Sequence, residues 1–200
     1  MGALDCDGRS GAALLLSHDW KTLDRELLLE TPIFSLQRAR KQRAAERGRE
    51  HDFYIIDSVD WVNIVPVTAE DEIVFLEIYR HGTDEVSLEV PGGMIDASDA
   101  SPLAAAAREM EEETGYRSDS IVPLGVVHPN PAIQPNRCFS FLAENAWLAQ
   151  EPRPDETEDL RVVRYPRREL PRLLREGRIT HSLVVSALYW LALAPAGEPR

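Results

Sequence analysis

An acidic stretch near the middle of the chain carries the residues best suited to do chemistry. Residues 108–116 read Arg-Glu-Met-Glu-Glu-Glu-Thr-Gly-Tyr, with four carboxylates among five consecutive positions. In a helix, Glu109, Glu112 and Glu113 share one face and Glu111 points elsewhere, because residues three and four apart are neighbours. Crowded carboxylates repel one another, and the macrodipole disfavours them near a helix C-terminus, so this face is either a solvated surface or a cation site. Three oxygen donors suit a hard divalent cation, Mg²⁺ or Mn²⁺.

The flanking residues predict a helix with defined ends. Pro91-Gly92-Gly93 interrupts a strand and allows close approach of the backbone. Ser101 is a suitable N-cap with Pro102 at the first helical position, and an alanine-rich run follows it. Gly115 suits the left-handed position that ends a helix. We expect Arg108 to orient the glutamates through charge-assisted hydrogen bonds.

The whole pattern resembles the Nudix box. The signature of that family is Gly-x5-Glu-x7-Arg-Glu-hydrophobic-x-Glu-Glu-x-Gly-hydrophobic, and residues 108–116 match its second half in full. In the first half, Asp99 follows Gly93 where the family has Glu, and one extra residue separates it from Arg108. The role of Asp99 is therefore open. The resemblance implies an α/β (α+β mixed) Nudix fold, a mixed β-sheet sandwiched between helices with an N-terminal β extension.

The remaining sequence has the element order of such a fold, strands first, then a helix, more strands and terminal helices. We expect a disordered leader at 1–19, a strand or hairpin extension at 20–50 and a Nudix domain at 51–195. Within the extension, a strand is predicted at 32–40 and a charge-rich hairpin or loop at 38–49. Apolar and β-branched runs predict the other strands at 61–67, 73–80, 86–90, 121–127, 138–143 and 160–165, and helices at 167–176 and 180–194.

Composition limits the classes of function. The chain has 200 residues and a net charge of −12, which argues against a general nucleic-acid binder, since that needs a basic face. Cys6 and Cys138 are far apart and lack ligand spacing, so we expect neither a disulfide framework nor a zinc site, and a reducing cytoplasm fits. The apolar stretch at 183–194 is shorter than the roughly 20 residues that span a bilayer, so no membrane association is expected.

Features outside the box resemble the ADP-ribose and nucleoside-diphosphate-sugar pyrophosphatases within the family. The segments that carry this resemblance lie on both sides of the box, at 79–80, 88–96, 130–131, 155–160 and 176–181. The resemblance implies hydrolysis of a pyrophosphate linkage by metal-activated water, which gives a nucleoside monophosphate and a sugar phosphate. It also implies a homodimer in which the N-terminal region completes the partner's substrate pocket.

By the same resemblance, metal ions are held by Glu109, Glu112 and Glu113 with the backbone carbonyl of Gly92. Glu112 and Arg108 then belong to the catalytic group as well.

A glutamate on the acidic loop before the last strand would deprotonate or orient the water. Glu156 aligns better with that role than Glu158. The alternative is that this loop is a solvated linker.

Four residues are candidates for substrate binding: Arg80, Glu89, Met94 and Arg137. Arg80 could place a guanidinium fork on a phosphate, which suits Arg better than Lys. Glu89 could contact a sugar or a metal-bound water, or could only pair with Arg80. The histidines at 81, 128 and 181 lack metal-ligand spacing and receive no role.

Two other functions stay open at this stage. One is a Nudix enzyme that hydrolyses nucleoside triphosphates, dinucleoside polyphosphates or capped RNA, although the acidic balance disfavours RNA. The other is a non-catalytic domain that senses nucleotide sugars. Such domains usually lose the box glutamates, whereas this chain keeps Glu109, Glu112 and Glu113.

Overall fold

The computed structural model describes residues 19–44, 48–155 and 157–193. The chain divides into two compact units, Met1–Ile56 and Asp57–Arg200. Nearly all of the predicted leader lies outside the described residues, and so does Glu156.

The first unit contains a three-stranded sheet in the order β1-β2-β3. Its strands are β1 (Trp20–Glu30), β2 (Ser35–Arg43) and β3 (Glu50–Asp57). β1 and β2 pair antiparallel, and the connection is a turn in which the Thr31 N–H donates to the carbonyl of Phe34 at 3.0 Å. All eleven residues of β1 are exposed. The division into the two units falls after Ile56, and β3 belongs to the sheet of the first unit.

The basic segment that was predicted as a hairpin or loop from residue 38 begins as strand, since β2 runs to Arg43 and lies beside β3 in the sheet. The physical reason is charge pairing between neighbouring strands. Arg38 forms ion pairs with Glu26 on β1 and with Asp52 on β3, and Arg40 pairs with Asp52 as well. Opposite charges across a sheet favour the paired, extended backbone over a loop.

The second unit is built on a mixed eight-stranded sheet. Its central order is β11-β5-β4-β10-β8, with β6 paired to β5, β7 to β4 and β9 to β10. β10 runs parallel to β4, and the other pairs are antiparallel. The strands are β4 (Trp61–Thr68), β5 (Glu72–Arg80), β6 (Glu85–Glu89), β7 (Gly92–Met94), β8 (Tyr116–Arg117), β9 (Ser120–Val127), β10 (Cys138–Leu148) and β11 (Leu160–Pro166).

Helices cover both faces of this sheet. They are α1 (Pro102–Thr114), α2 (Leu170–Arg175), which follows a short 3₁₀ turn at Arg167–Glu169, and α3 (Ser182–Leu193). Ile64 of β4 belongs to one core cluster with Met110 of α1, and its neighbour Val65 belongs to a second cluster with Leu188 of α3. Successive strand residues point to opposite faces, so one strand supplies both cores. Each fully buried side chain of this size contributes roughly 1.5–3 kcal/mol. The predicted mixed sheet between helices is confirmed.

The most apolar helix of the second unit is α3, which has 12 residues. In the part of the chain that the structure describes, no helix is long and apolar enough to cross a membrane.

Candidate active site

Helix α1 presents the acidic residues, and local interactions fix both of its ends. The Ser101 hydroxyl accepts a hydrogen bond from the Ala104 N–H at 3.1 Å, with Pro102 at the first helical position. At the other end, Gly115 has a φ of 72° and its N–H donates to the carbonyl of Glu111 at 2.9 Å. These are the ends that the sequence predicted, so the phase of the helix, and with it the face on which each glutamate stands, is determined.

Glu113 is a buried carboxyl group beside the glycine turn. Only 2 % of the residue is exposed, and its Oε2 accepts a hydrogen bond from the Gly92 N–H at 2.9 Å. Burial raises the pKa of Glu113 to about 9, and the charges of Glu109 and Glu158 act in the same direction against the bond from Gly92. A nearby positive charge would stabilise the ionised carboxylate of Glu113 and lower this pKa.

Glu109 of α1 lies beside Gly93, the next residue of the same turn. Its Oε1 is so close to Gly93 that a Cβ on that residue would stand 2.4 Å from it. Burial raises the pKa of Glu109 to about 7, partly opposed by Arg108. Gly93 therefore leaves space that the carboxylate of Glu109 occupies, which explains why a second glycine follows Gly92.

Arg108 is the cation that the acidic cluster already contains. Its guanidinium donates to both carboxylate oxygens of Asp99, at 3.1 and 3.0 Å, and to the carbonyl of Met94 at 3.2 Å. It also lies 2.9 Å from Glu112 and 3.0 Å from Glu109. The bond to Asp99 is the main reason that the pKa of Arg108 is raised above its ordinary value. Asp99 thus anchors the arginine that contacts the glutamates, a role that the family signature left open.

The structure brings Glu109 and Glu113 to one glycine turn and leaves Glu112 on Arg108, with the side chain of Glu112 48 % exposed. Among the described residues, no three His, Cys, Asp or Glu side chains are gathered as a ready metal cluster. The donor types still fit a divalent cation, because the partly buried Glu109 and the buried Glu113, both with raised pKa values, face a turn without side chains. For Glu112 to join them, its carboxylate would have to leave Arg108.

A second cluster of charges joins β5, β6 and the residue before α3. Arg80 donates to Glu89 through Nε at 3.0 Å and Nη2 at 2.8 Å, a bidentate fork on a residue that is 2 % exposed. Nδ1 of His181 lies 2.9 Å from Oε2 of Glu89, at ion-pair distance but without the alignment of a hydrogen bond. Burial alone would raise the pKa of Glu89, but His181 and Arg80 outweigh it and lower the pKa to about 2. Glu89 is therefore ionised, and it pairs with Arg80 as one predicted alternative had it.

The acidic loop before β11 is fastened at both ends. The Arg153 N–H donates to the carbonyl of Glu112 at 2.6 Å, and the Tyr79 N–H donates to the carbonyl of Asp159 at 3.0 Å. Between them, Oε2 of Glu158 accepts from the Asp155 N–H at 3.0 Å. The charge of Glu158 also contributes to the raised pKa values of Glu109, Glu113 and Arg80.

The other two predicted substrate residues have partners of their own. Arg137 forms a fork with Asp60, with Nη2 2.7 Å from Oδ2, and its guanidinium lies 4.9 Å from the ring centre of Phe139. Met94 is 38 % exposed on β7, and its carbonyl accepts from Arg108. The structure thus brings Arg80 and Glu89 into the charged cluster, while Arg137 is held by Asp60.

A cavity of about 570 Å³ opens near the C-terminal end of α1. Thr114, Tyr116, Trp147 and Arg164 are among the residues that line it. Its described lining contains none of the box glutamates, and Arg164 is already paired with Glu72 at 3.3 Å. The described residues predicted to do the chemistry therefore lie outside the lining of this cavity.

His181 was missed by the sequence analysis. It has no metal-ligand spacing, and its partner Glu89 belongs to a strand far from it along the chain. The sequence contains only a weak indication of this contact. Glu89 lies in an otherwise apolar strand, and a buried carboxylate needs a positively charged or hydrogen-bonding partner.

Comparisons with known proteins identify the family and the fold. The sequence model of the NUDIX domain family matches residues 57–187. The chain is 26 % identical over 191 residues to an ADP-ribose pyrophosphatase of Mycobacterium tuberculosis, covering 93 % of this chain and 90 % of that protein. It is 30 % identical over 149 residues to an ADP-sugar pyrophosphatase of Mus musculus, with 68 % and 67 % covered. The crystal structure of an ADP compounds hydrolase superposes with a TM-score of 0.76 at 22 % identity, covering 88 % of this chain and 93 % of the other. The chain belongs to the Nudix family, as a pyrophosphohydrolase similar to the ADP-ribose and ADP-sugar pyrophosphatases.

Proposed function

We propose that the protein hydrolyses the pyrophosphate bond of ADP-ribose or a related nucleoside-diphosphate sugar, with Mg²⁺, to a nucleoside monophosphate and a sugar phosphate. The observation that carries this proposal is a pair of carboxyl groups at a glycine turn, the partly buried Glu109 and the buried Glu113, with pKa values raised to about 7 and about 9. Carboxylates kept in such surroundings need a cation, and phosphoanhydride cleavage needs one too. Relatives named ADP-ribose pyrophosphatase, which align with most of the chain, support the substrate class.

Glu109, Glu112 and Glu113, with the carbonyl of Gly92, would hold the metal. Bound Mg²⁺ or Mn²⁺ would offset phosphate charge and lower the pKa of a coordinated water. The protein's own task at this point is to keep the carboxylates fixed. Arg108 does so by holding Asp99 and Glu109 together, and the Gly92 N–H by fixing Glu113.

Arg80 would bind a phosphate of the substrate. Its fork on Glu89 uses Nε and Nη2, and Nη1 carries no hydrogen bond to a described residue. The side chain remains 45 % exposed. A guanidinium held along one edge presents its other edge in a fixed direction, which suits bidentate or paired contacts to phosphate oxygens.

A glutamate of the acidic loop would accept the proton of the attacking water. Glu158 is the candidate among the described residues, because its charge acts on both Glu109 and Glu113. Glu156, which the sequence favoured, remains a candidate outside them. We expect Glu→Gln at the true base to lower kcat by about 10²-fold or more with little change in KM, and Glu→Gln at the other position to leave kcat within a few-fold. Equal activity of both single variants would contradict a base on this loop.

The function is tested by a substrate panel. The purified protein is incubated with Mg²⁺ and, separately, with ADP-ribose, other nucleotide sugars, dinucleoside polyphosphates and nucleoside triphosphates, and the products are identified by chromatography. We expect AMP and ribose 5-phosphate from ADP-ribose. Turnover of triphosphates alone, or undiminished turnover in EDTA, would overturn the proposal.

We also propose that the protein acts as a homodimer. The support lies in the first unit, where β1 exposes Leu23, Leu27, Leu28 and Leu29, with Leu27 56 % exposed. Contiguous apolar side chains on a sheet are unusual on the surface of a monomer and are typical of protein interfaces. A second copy of the chain is the occupant that the resemblance to these pyrophosphatases implies.

A further inference from the structure

His181 lies where three parts of the second unit meet. The loop before it is bound to β6, because the Leu88 N–H donates to the carbonyl of Arg178 at 3.3 Å. Its own carbonyl accepts from the Val185 N–H at 3.0 Å, which makes His181 the N-cap residue of α3. The backbone of His181 is therefore fixed relative to both β6 and α3.

The ring of His181 is directed at Glu89. Nδ1 lies 2.9 Å from Oε2 at ion-pair distance, and this nitrogen is buried, with no aligned hydrogen bond to any described residue. The side chain as a whole is 39 % exposed, so the remainder of the ring reaches the surface. The contact to Glu89 is therefore the polar interaction that the structure offers to Nδ1 of His181.

Glu89 in turn sets the direction of Arg80. The fork uses both carboxylate oxygens, so any rotation of the Glu89 carboxylate turns the guanidinium with it. Oε2 is shared between Nη2 of Arg80 at 2.8 Å and Nδ1 of His181 at 2.9 Å. His181 thus contacts the same carboxylate oxygen as the flexible arginine, and it does so from a fixed backbone.

We propose that His181 is a positioning residue for substrate binding, which holds Glu89 and, through it, aims Arg80 at a phosphate of the nucleoside-diphosphate sugar. This inference rests on the proposed function, because it assigns Arg80 a phosphate as its ligand. His181 does not touch the substrate phosphate itself in this arrangement. Its effect passes through the Glu89 carboxylate.

Two substitutions distinguish the positioning role of His181 from its role as the N-cap of α3. Ser and Asn are both good N-caps, so His181→Ser and His181→Asn should leave the helix equally stable. The Asn side-chain nitrogen is as far from the backbone as Nδ1 of histidine, whereas the Ser hydroxyl is too short to reach Glu89. We expect His181→Ser to raise the KM for ADP-ribose about tenfold with kcat nearly unchanged, and His181→Asn to restore most of the affinity.

A double-mutant cycle tests the route through Arg80. Arg80→Ala should raise KM by itself, and adding His181→Ser to Arg80→Ala should change KM no further, since the residue being aimed is gone. Additive effects of the two substitutions, or failure of His181→Asn to rescue affinity, would overturn the inference while the proposed function stands.

Failure of the proposed function is recognised separately. If the wild-type protein turned over no member of the substrate panel, the function would fail, and binding of inorganic pyrophosphate in the presence of Mg²⁺ would be measured by calorimetry instead. Weaker binding in His181→Ser and recovery in His181→Asn would support the positioning role for a phosphate ligand. Equal binding by all three proteins would overturn it.

Discussion

Glu109 and Glu113 define the site at the scale of single residues. Each is a carboxyl group placed against a glycine of one turn, and burial is the main cause of its raised pKa. Such groups lower the stability of the protein when ionised without a compensating charge, and the same property creates affinity for a cation. Arg108 partly compensates the negative charge of Glu109 and Glu112, while Glu113 accepts a hydrogen bond from the Gly92 N–H.

These carboxyls predict how stability depends on pH in the metal-free protein. Their folded-state pKa values, about 7 and about 9, lie above the ordinary value of 4.5. The stability they contribute is complete below about pH 4.5 and is lost as the pH rises through 7 and 9. With EDTA present, the free energy of unfolding should therefore fall between about pH 5 and pH 9, by on the order of 2 kcal/mol or more.

Glu113→Gln should flatten this decline and leave the protein as stable or more stable at about pH 8, while turnover falls by at least about 10²-fold. Urea unfolding at several pH values measures the first effect and product formation the second. Glu111→Gln is the matched control, since Glu111 pairs with Arg117 at the surface and should change neither. Full activity of Glu113→Gln would contradict its place among the metal ligands.

The two glycines of the turn should respond differently to alanine. A Cβ on Gly92 would stand 2.2 Å from the backbone oxygen of Val62, inside the sheet, so Gly92→Ala should destabilise the protein by roughly 1–3 kcal/mol. A Cβ on Gly93 would meet only the movable end of Glu109, so Gly93→Ala should keep its stability and lose activity by roughly 10–100-fold. Melting temperature and kcat/KM distinguish the two. An active Gly93→Ala enzyme would show that the position of Glu109 is unimportant.

At the scale of elements, α1 is held by its ends rather than by its acidic sequence. Ser101 caps the first turn, and Gly115 ends the last one while its carbonyl accepts from the N–H groups of Ala149 and Gln150. The helix terminus is thereby joined to the residues that follow β10. The same residues lead into the acidic loop, so hydrogen bonds connect the end of α1 to the start of that loop.

Replacing Ser101 or Gly115, the two caps of α1, should lower the free energy of unfolding, and the loss should be larger at Gly115. Ser101→Ala should cost about 1 kcal/mol, and Ser101→Asp should restore it, because both oxygens can accept from the first turn. Gly115→Ala should cost more, about 1–3 kcal/mol, since φ is 72° and a Cβ would lie 2.0 Å from the carbonyl oxygen of Gln150. Denaturant unfolding with unchanged m-values would measure both. A smaller loss for Gly115→Ala than for Ser101→Ala would contradict this account.

Sequence reasoning worked best where the cause is local. The caps of α1 lie within a few residues of the groups they satisfy, so Ser101 and Gly115 could be assigned from the sequence. The contact between His181 and Glu89 joins segments distant along the chain, and only the packing of β6 against the start of α3 creates it. The strand at Arg38 depends likewise on carboxylates of neighbouring strands. Glu112 is an intermediate case, because its pair with Arg108 is a local i,i+4 contact that competes with a metal role.

At the scale of the whole molecule, the two units differ in how they bury apolar surface. The second unit has two core clusters, one on each face of its sheet. The first unit has a three-stranded sheet in which Ala39 is fully buried, while every residue of β1 is exposed. A sheet of this size with exposed leucines gains stability by packing against another surface.

The proposed homodimer is tested on these leucines. Leu27→Ser combined with Leu29→Ser should convert a dimer to a monomer, because two of the most exposed apolar side chains of β1 are removed. Light scattering coupled to size-exclusion chromatography measures the mass. Val86→Ser, which alters an exposed apolar residue of the second unit, should leave the dimer intact. A wild-type monomer, or a dimer in the leucine variant, would contradict an interface on β1.

The bond from the Gly92 N–H to Glu113 makes one proton a reporter for the entire site. Most amides in a sheet donate to a carbonyl, whose charge never changes, but this one donates to a carboxyl group that can ionise and that we propose as a metal ligand. Its NMR resonance should move during a pH titration or on addition of Mg²⁺, while the fold around it stays the same. A single cross-peak would then follow ionisation and metal binding at atomic detail, before any substrate is known.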